Sequence, residues 1–160
     1  MDIIVENLYL KEVDKTFNIN FRKRLNILQG SNGSGKSILL DYISGLRMAP
    51  EEAKIKGNNN IIYLNQNMYY NGRLRVDEYL KFIYNLNNIR DYKEYFFDFV
   101  ALYLNDVVDE IKKMINKKMG DLSGGERRFI YNLIILSIDR EWYILDEPLT
   151  AIDQNRKKYL

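Results

Sequence analysis

The sequence predicts an α/β fold, with β-strands at the N-terminus and a helical subdomain set into the middle. Three observations predict it. A strand-like stretch, "LNILQG" (Leu25–Gly30), runs through a glycine-rich loop into a helix-like stretch, "SILLDYISGL" (Ser37–Leu46). From Arg75 to Gly120 the character changes and apolar residues recur at helical spacing. Further on, "WYILD" (Trp142–Asp146) is a continuous apolar run of the kind buried inside a sheet.

Each element follows in order. "IIVENLYL" and "TFNINF" have the β-branched, aromatic and alternating character of strands. Leu25–Gly30 is a third strand, ending in glycine, and Ser37–Leu46 is the first helix. "GNNN" (Gly57–Asn60) makes a turn into the strand "IIYLN". Then come three helices, "VDEYLKFIYNL", "DYKEYFFDFVALYL" and "NDVVDEIKKMINKK". The third opens on an Asn/Asp cap and closes with Lys112, Lys113, Lys117 and Lys118 before Gly120, as helix C-termini prefer. "GGERRFIYNLIILSI" is another helix, and Trp142–Asp146 the last strand. The aromatic run "YFFDF" with Tyr92 and Tyr103 is read as the core of the helical subdomain.

At 160 residues one domain is expected, burying roughly 70% of its unfolded surface. With 46% apolar and 29% charged residues the composition is that of an ordinary globular chain, and a net charge of +2 is too balanced to argue for a nucleic-acid partner. There is no cysteine, hence no disulfide and no thiolate nucleophile. There is no histidine either, so acid–base chemistry falls to carboxylates, lysine, hydroxyls or backbone. No apolar run reaches the length of a membrane span, and "MDIIVENLYL" lacks the basic start and cleavage site of a signal peptide. A cytoplasmic chain is expected, unless a partner holds it at a membrane.

"GSNGSGKS" satisfies the pattern G-x-x-x-x-G-K-[ST] and lies between a strand and a helix, the context the pattern requires. Gly30, Gly33 and Gly35 allow backbone angles that turn successive N–H groups of Gly30, Ser31, Asn32, Gly33, Ser34 and Gly35 inward, toward phosphate oxygens. Lys36 adds a positive charge between the β- and γ-phosphates, and Ser37 offers a hydroxyl to Mg²⁺. The helix that follows aims its positive dipole end at the same place. A nucleoside triphosphate is the expected ligand. A second glycine cluster, "LSGGE" (Leu122–Glu126), opens a helix with Ser123 as cap and with Gly124 and Gly125 leaving the first amides uncovered.

Here the sequence resembles a known family. "LSGGE" resembles the signature motif of the ABC ATPases, and the family's other motifs stand in the right order. "IIYLNQ" looks like the strand leading to the Q-loop glutamine, Gln66; "WYILDEP" looks like the Walker B strand with Asp146 and Glu147; "LTAID" is similar to the D-loop, with Asp153 in the aspartate position. The resemblance implies a P-loop NTPase core with a mostly parallel sheet. Residues 1–74 would hold the N-terminal strands, Walker A loop and Q-loop, residues 75–120 the helical subdomain, and residues 121–160 the signature, Walker B and D-loop, with the core left incomplete. It implies ATP and Mg²⁺ as cofactors. Ser37 and Asp146 would hold the metal with Gln66, and Glu147 would activate the attacking water. Ser123, Gly124, Gly125 and Asp153 would face the nucleotide of a second ATP-binding cassette, in a head-to-tail homodimer or heterodimer docked on a membrane-spanning transporter subunit. Tyr9 is the available aromatic for the adenine, but it reads better as a plain strand tyrosine.

The chain departs from the family pattern in three places. Ile38 follows Ser37 where many members have threonine. The stretch between Lys36 and Gln66 is short, so a strand or hairpin is expected to be trimmed. The switch histidine and the strand before it do not occur in these 160 residues. That strand would lie between the Walker A and Walker B strands, and its absence predicts a gap with unpaired backbone groups. A longer natural protein is the favoured explanation, ahead of a strand supplied by another chain or a degenerate ATPase. The function expected is ATP hydrolysis as the energy-coupling subunit of a transporter. The alternatives are a soluble ABC ATPase of translation or DNA maintenance, or a non-hydrolysing nucleotide-binding fragment.

Overall fold

The computed structural model describes residues 1–65, 67, 70–150, 152 and 154–159. The chain divides into two compact units, Met1–Asn65 with Arg140–Asp146 and Gln66–Asp139 with Glu147–Leu160. In the first, β1 (Ile3–Leu10) pairs antiparallel with β2 (Lys15–Phe21) and with β3 (Lys54–Lys56), in the order β2–β1–β3. The register of β1 shifts between Val5 and Leu8, where Asn7 takes a φ of 54°. That extra residue resets the alternation, so Ile3 and Val5 before it and Leu8 and Leu10 after it all point into the core. The helix α1 (Lys36–Ile43) contributes Leu39 and Ile43 to the same core.

Two further strands, β4 (Ile61–Leu64) and β5 (Trp142–Leu145), run parallel in register, Ile61 opposite Trp142 and Leu64 opposite Leu145. Trp142 and Ile144 face the core and Tyr143 and Leu145 are exposed, the period-2 pattern of a strand with one buried face. The α/β character with antiparallel N-terminal strands and a parallel pair is as the sequence predicts. Three details differ. The short β3 fills the interval expected to be trimmed. The helix α1 stops before Ser44 because Gly45 turns to a φ of 78°. Leu25–Gly30 forms no strand, since no described strand runs beside it to complete a ladder. Leu25 and Ile27 are accordingly 85% and 72% exposed, and only Leu28 packs on the core.

The second unit is helical: α2 (Val76–Leu86), α3 (Tyr92–Tyr103), α4 (Val108–Met114), α5 (Gly124–Leu136) and the short α6 (Gln154–Lys157). Its core gathers Leu80 and Tyr84 from α2, Phe96 and Val100 from α3, Ile111 and Met114 from α4, and Phe129, Ile130, Leu133 and Ile134 from α5. Tyr84 meets Phe96 edge-on at 6.5 Å, and its hydroxyl hydrogen-bonds Ser137 Oγ. Burial pushes the Tyr84 phenol up to about 12. Of the aromatic run on α3 only Phe96 is fully buried, and Tyr103 is exposed, so the run is one core anchor and an outward face. The single helix expected over Asn105–Lys118 is instead a 3-10 turn, Asn105–Val107, and the two-turn α4. Lys112 and Lys113 end α4, whereas Lys117 and Lys118 lie beyond it in a segment that pairs with Gly72–Val76; Arg75 opposes Lys118.

Candidate functional site

The phosphate-loop candidate lies in the first unit. Its loop turns twice through the left-handed region, at Gly33 (φ 77°) and Gly35 (φ 89°). Gly33 has open space around a would-be Cβ, so its glycine is a matter of backbone angle alone. Gly35 needs glycine twice over, because a Cβ there would also lie 3.1 Å from Val13 Cγ2. Gly35 is the N-cap of α1 and no side chain caps the helix, which leaves its first amides available to an anion. Lys36 Nζ folds back over the loop and donates to the carbonyls of Gly30 at 2.8 Å and Ser31 at 2.9 Å. The ammonium is thereby held over the loop carbonyls, and among the described residues no carboxylate pairs with it. Ser31, Asn32, Gly33 and Ser37 are exposed, so the cradle is open.

Asp146 stands where β5 ends, its N–H donating to the Leu64 carbonyl at 2.8 Å to close the β4–β5 ladder. Nearby, Tyr63 on β4 donates its hydroxyl to Asp41 Oδ1 of α1 at 3.1 Å, and Arg47 pairs with Asp41 Oδ2 at 3.3 Å and with Glu12 at 2.9 Å. Burial above all, then the Asp41 and Asp146 carboxylates, raise the Tyr63 phenol above its ordinary value. Ser37 and Asp146 suit magnesium, a hard cation that takes one or two protein oxygens and completes its octahedron with phosphate and water. Among the described residues no group of three or more acidic side chains gathers as a rival cation site.

The second unit carries the other glycine cluster and Glu147. Ser123 caps α5 reciprocally: its Oγ accepts from Glu126 N–H at 3.1 Å, and Glu126 Oε2 accepts from Ser123 N–H at 2.9 Å. These bonds from Ser123, with Lys117 and Arg156 adding charge, hold the Glu126 carboxyl below its ordinary value. A Cβ at Gly124 would meet nothing within 4 Å, so nothing in the chain's own packing calls for glycine there. Glu147 is exposed and takes a φ of 50°, strained for a side chain without glycine's freedom. Thr150 closes the turn with its N–H to Glu147 O at 3.1 Å and its hydroxyl to Glu147 Oε2 at 3.1 Å.

Gly30–Ser37 and Asp146 thus fall in one unit, Ser123–Gly125 and Glu147 in the other. Gln66 and Asp153 lie outside the described residues. Tyr9 sits in β1 with its hydroxyl on Asp14 at 2.8 Å, as a strand tyrosine. Sequence reasoning missed Tyr63, Asp41, Thr150 and two buried polar side chains of α5, Arg128 and Asn132. The last two carried a signal: polar residues four apart, flanking the apolar positions of the helix.

Comparison with known proteins bears on the family and the fold. The profile of the family described as "ABC transporter" matches residues 14–150. An ABC transporter ATP-binding protein of Caldanaerobacter subterraneus subsp. tengcongensis is 30% identical over 92% of this chain and 66% of its own length. The cytochrome c biogenesis ATP-binding export protein of Reclinomonas americana is 32% identical over 86% of this chain and 65% of its own. The zinc import ATP-binding protein of Ehrlichia chaffeensis is 30% identical over 97% and 64%. The chain therefore spans just under two thirds of the length of these relatives. Among solved structures, an ABC transporter ATP-binding protein from Pyrococcus furiosus superposes with a TM-score of 0.76 at 23% identity, over 99% of this chain and 82% of that one.

Proposed function

Because this chain belongs to the ABC transporter family, as one of its ATP-binding subunits, we propose that it binds Mg-ATP at Gly30–Ser37 and hydrolyses it to drive a membrane-spanning partner. The observation that carries the reading is the cradle: two left-handed glycines, an uncapped α1 N-terminus and the Lys36 ammonium held over the loop carbonyls. Phosphoryl transfer to water is mostly positioning and charge neutralisation, and these groups do both. Lys36 and the loop amides take the phosphate charge. Ser37 and Asp146 would hold the magnesium, which when bound would supply charge neutralisation at the phosphate oxygens. Glu147 orients the attacking water and accepts its proton, a carboxylate being the only good kind of base left in a chain without histidine. Gln66 and Asp153 keep the roles the family motifs give them, near the metal and at the dimer interface.

Gly124, beside the Ser123 cap, presents a backbone with open space around a would-be Cβ at the start of α5, which suits capping a nucleotide held by a second cassette. Binding and dimerisation are then linked, and hydrolysis releases the pair. The pair works beneath a spanning partner at the inner face of the cell membrane, a place that rests on the family resemblance; no described helix is long and apolar enough to cross a membrane. Relatives named for export and for zinc import stand side by side, so the reading stops at energy coupling and names no cargo. The deciding experiment is Glu147→Gln in saturating Mg-ATP, followed by light scattering. An ATP-stabilised dimer with turnover lost is expected; a monomer, beside a wild type that turns over, would sink the sandwich arrangement.

A further inference from the structure

We propose that Asn132 is a positioning residue for Glu147: from inside α5 it grips the turn on which that carboxylate stands. Glu147 at φ 50° occupies a region that is strained for a non-glycine residue, so the surrounding structure must hold it there. Asn132 is fully buried, and its Nδ2 donates to the carbonyl of Pro148, the next residue, at 2.8 Å. One turn earlier on the same helix face, the 3% exposed Arg128 brings Nη2 to 3.5 Å from the Glu147 carbonyl. That carbonyl also receives the Thr150 N–H. Two consecutive carbonyls, of Glu147 and Pro148, are thus addressed from one rigid helix.

Folding alone gives a poor account of Asn132. Phe129, Ile130, Leu133 and Ile134 around it on α5 are all buried and apolar. Asn132 Oδ1 is buried and accepts no hydrogen bond among the described residues, so the amide sits half-satisfied where a leucine would pack without that cost. What the amide gains is the grip on Pro148, and through it a fixed direction for the Glu147 side chain. A misplacement of a reacting group by about 1 Å can lower a rate on the order of 100-fold, so such a grip acts on turnover rather than on binding.

The inference rests on Glu147 being the water-activating carboxylate, and the test separates the two. In Asn132→Leu, and in the isosteric Asn132→Asp, amide hydrogen exchange at Thr150 should quicken at least about tenfold while the amides of α5 keep their rates. Turnover should fall on the order of 10- to 100-fold with the KM for ATP and the melting temperature of Asn132→Leu no worse than wild type. In a Glu147→Gln background the further loss from Asn132→Leu should vanish, because the two act on one group. Unchanged exchange at Thr150 overturns the proposal. So does undiminished turnover in Asn132→Leu when Glu147→Gln alone is inactive. A Glu147→Gln protein that turns over like wild type instead refutes the role of Glu147 itself.

Discussion

The Lys36 ammonium and the Gly35 backbone divide the work of the phosphate loop, and substitutions separate them. Lys36→Ala removes the charge aimed at the phosphates and two hydrogen bonds to exposed carbonyls. Its expected result is loss of triphosphate binding by titration calorimetry, with the nucleotide-free melting temperature nearly unchanged. Gly35→Ala puts a Cβ against Val13 at a φ of 89°, and should cost about 1–3 kcal/mol of stability in chemical denaturation. A Gly35→Ala protein as stable as wild type would mean that the loop can relax out of the left-handed region. These residues were legible in the sequence because phosphate chemistry dictates both their types and their spacing. Tyr63 and Asp41 were not, since a tyrosine in a strand and an aspartate on a helix meet only once α1 has packed against β4.

At the scale of elements, the reciprocal cap of α5 is the most measurable feature. Ser123→Ala should cost about 1 kcal/mol, read as a lower melting temperature. Glu126 adds a pH dependence with a definite sign. Its folded value lies below the ordinary 4.5, so the stability it contributes is complete above that and is lost as pH falls through the lower folded value. Glu126→Gln should flatten that part of the acid denaturation curve; an unchanged slope would mean the cap carries no charge-dependent stability. The elements themselves show how far pattern reaches. The strands β1, β2, β4 and β5 and the helices α2, α3 and α5 were legible from their periods. What escaped was set by pairing: β3 is three residues recruited by the edge of β1, and Leu25–Gly30 reads as a strand but has no described neighbour to bond. Likewise "NDVVDEIKKMINKK" reads as one helix, yet Lys117 and Val76 share a backbone hydrogen bond that pulls its end into an extended segment.

For the molecule as a whole, the exposed Leu25 and Ile27 set its behaviour in solution. Large apolar side chains exposed on a segment that belongs to no described sheet favour association. The 160-residue chain on its own should therefore self-associate at micromolar concentration, and Leu25→Lys with Ile27→Lys should lower its light scattering without loss of secondary structure by circular dichroism. Scattering unchanged by both lysines would move the sticky surface elsewhere, to the outward face of α3 with Leu102 and Tyr103. The strain at Glu147 has a consequence for anyone improving this protein in the laboratory. A library sorted only for heat resistance would enrich glycine at position 147, since glycine adopts a φ of 50° at no steric cost. The sturdiest survivors of such a sort would be ATP traps rather than motors.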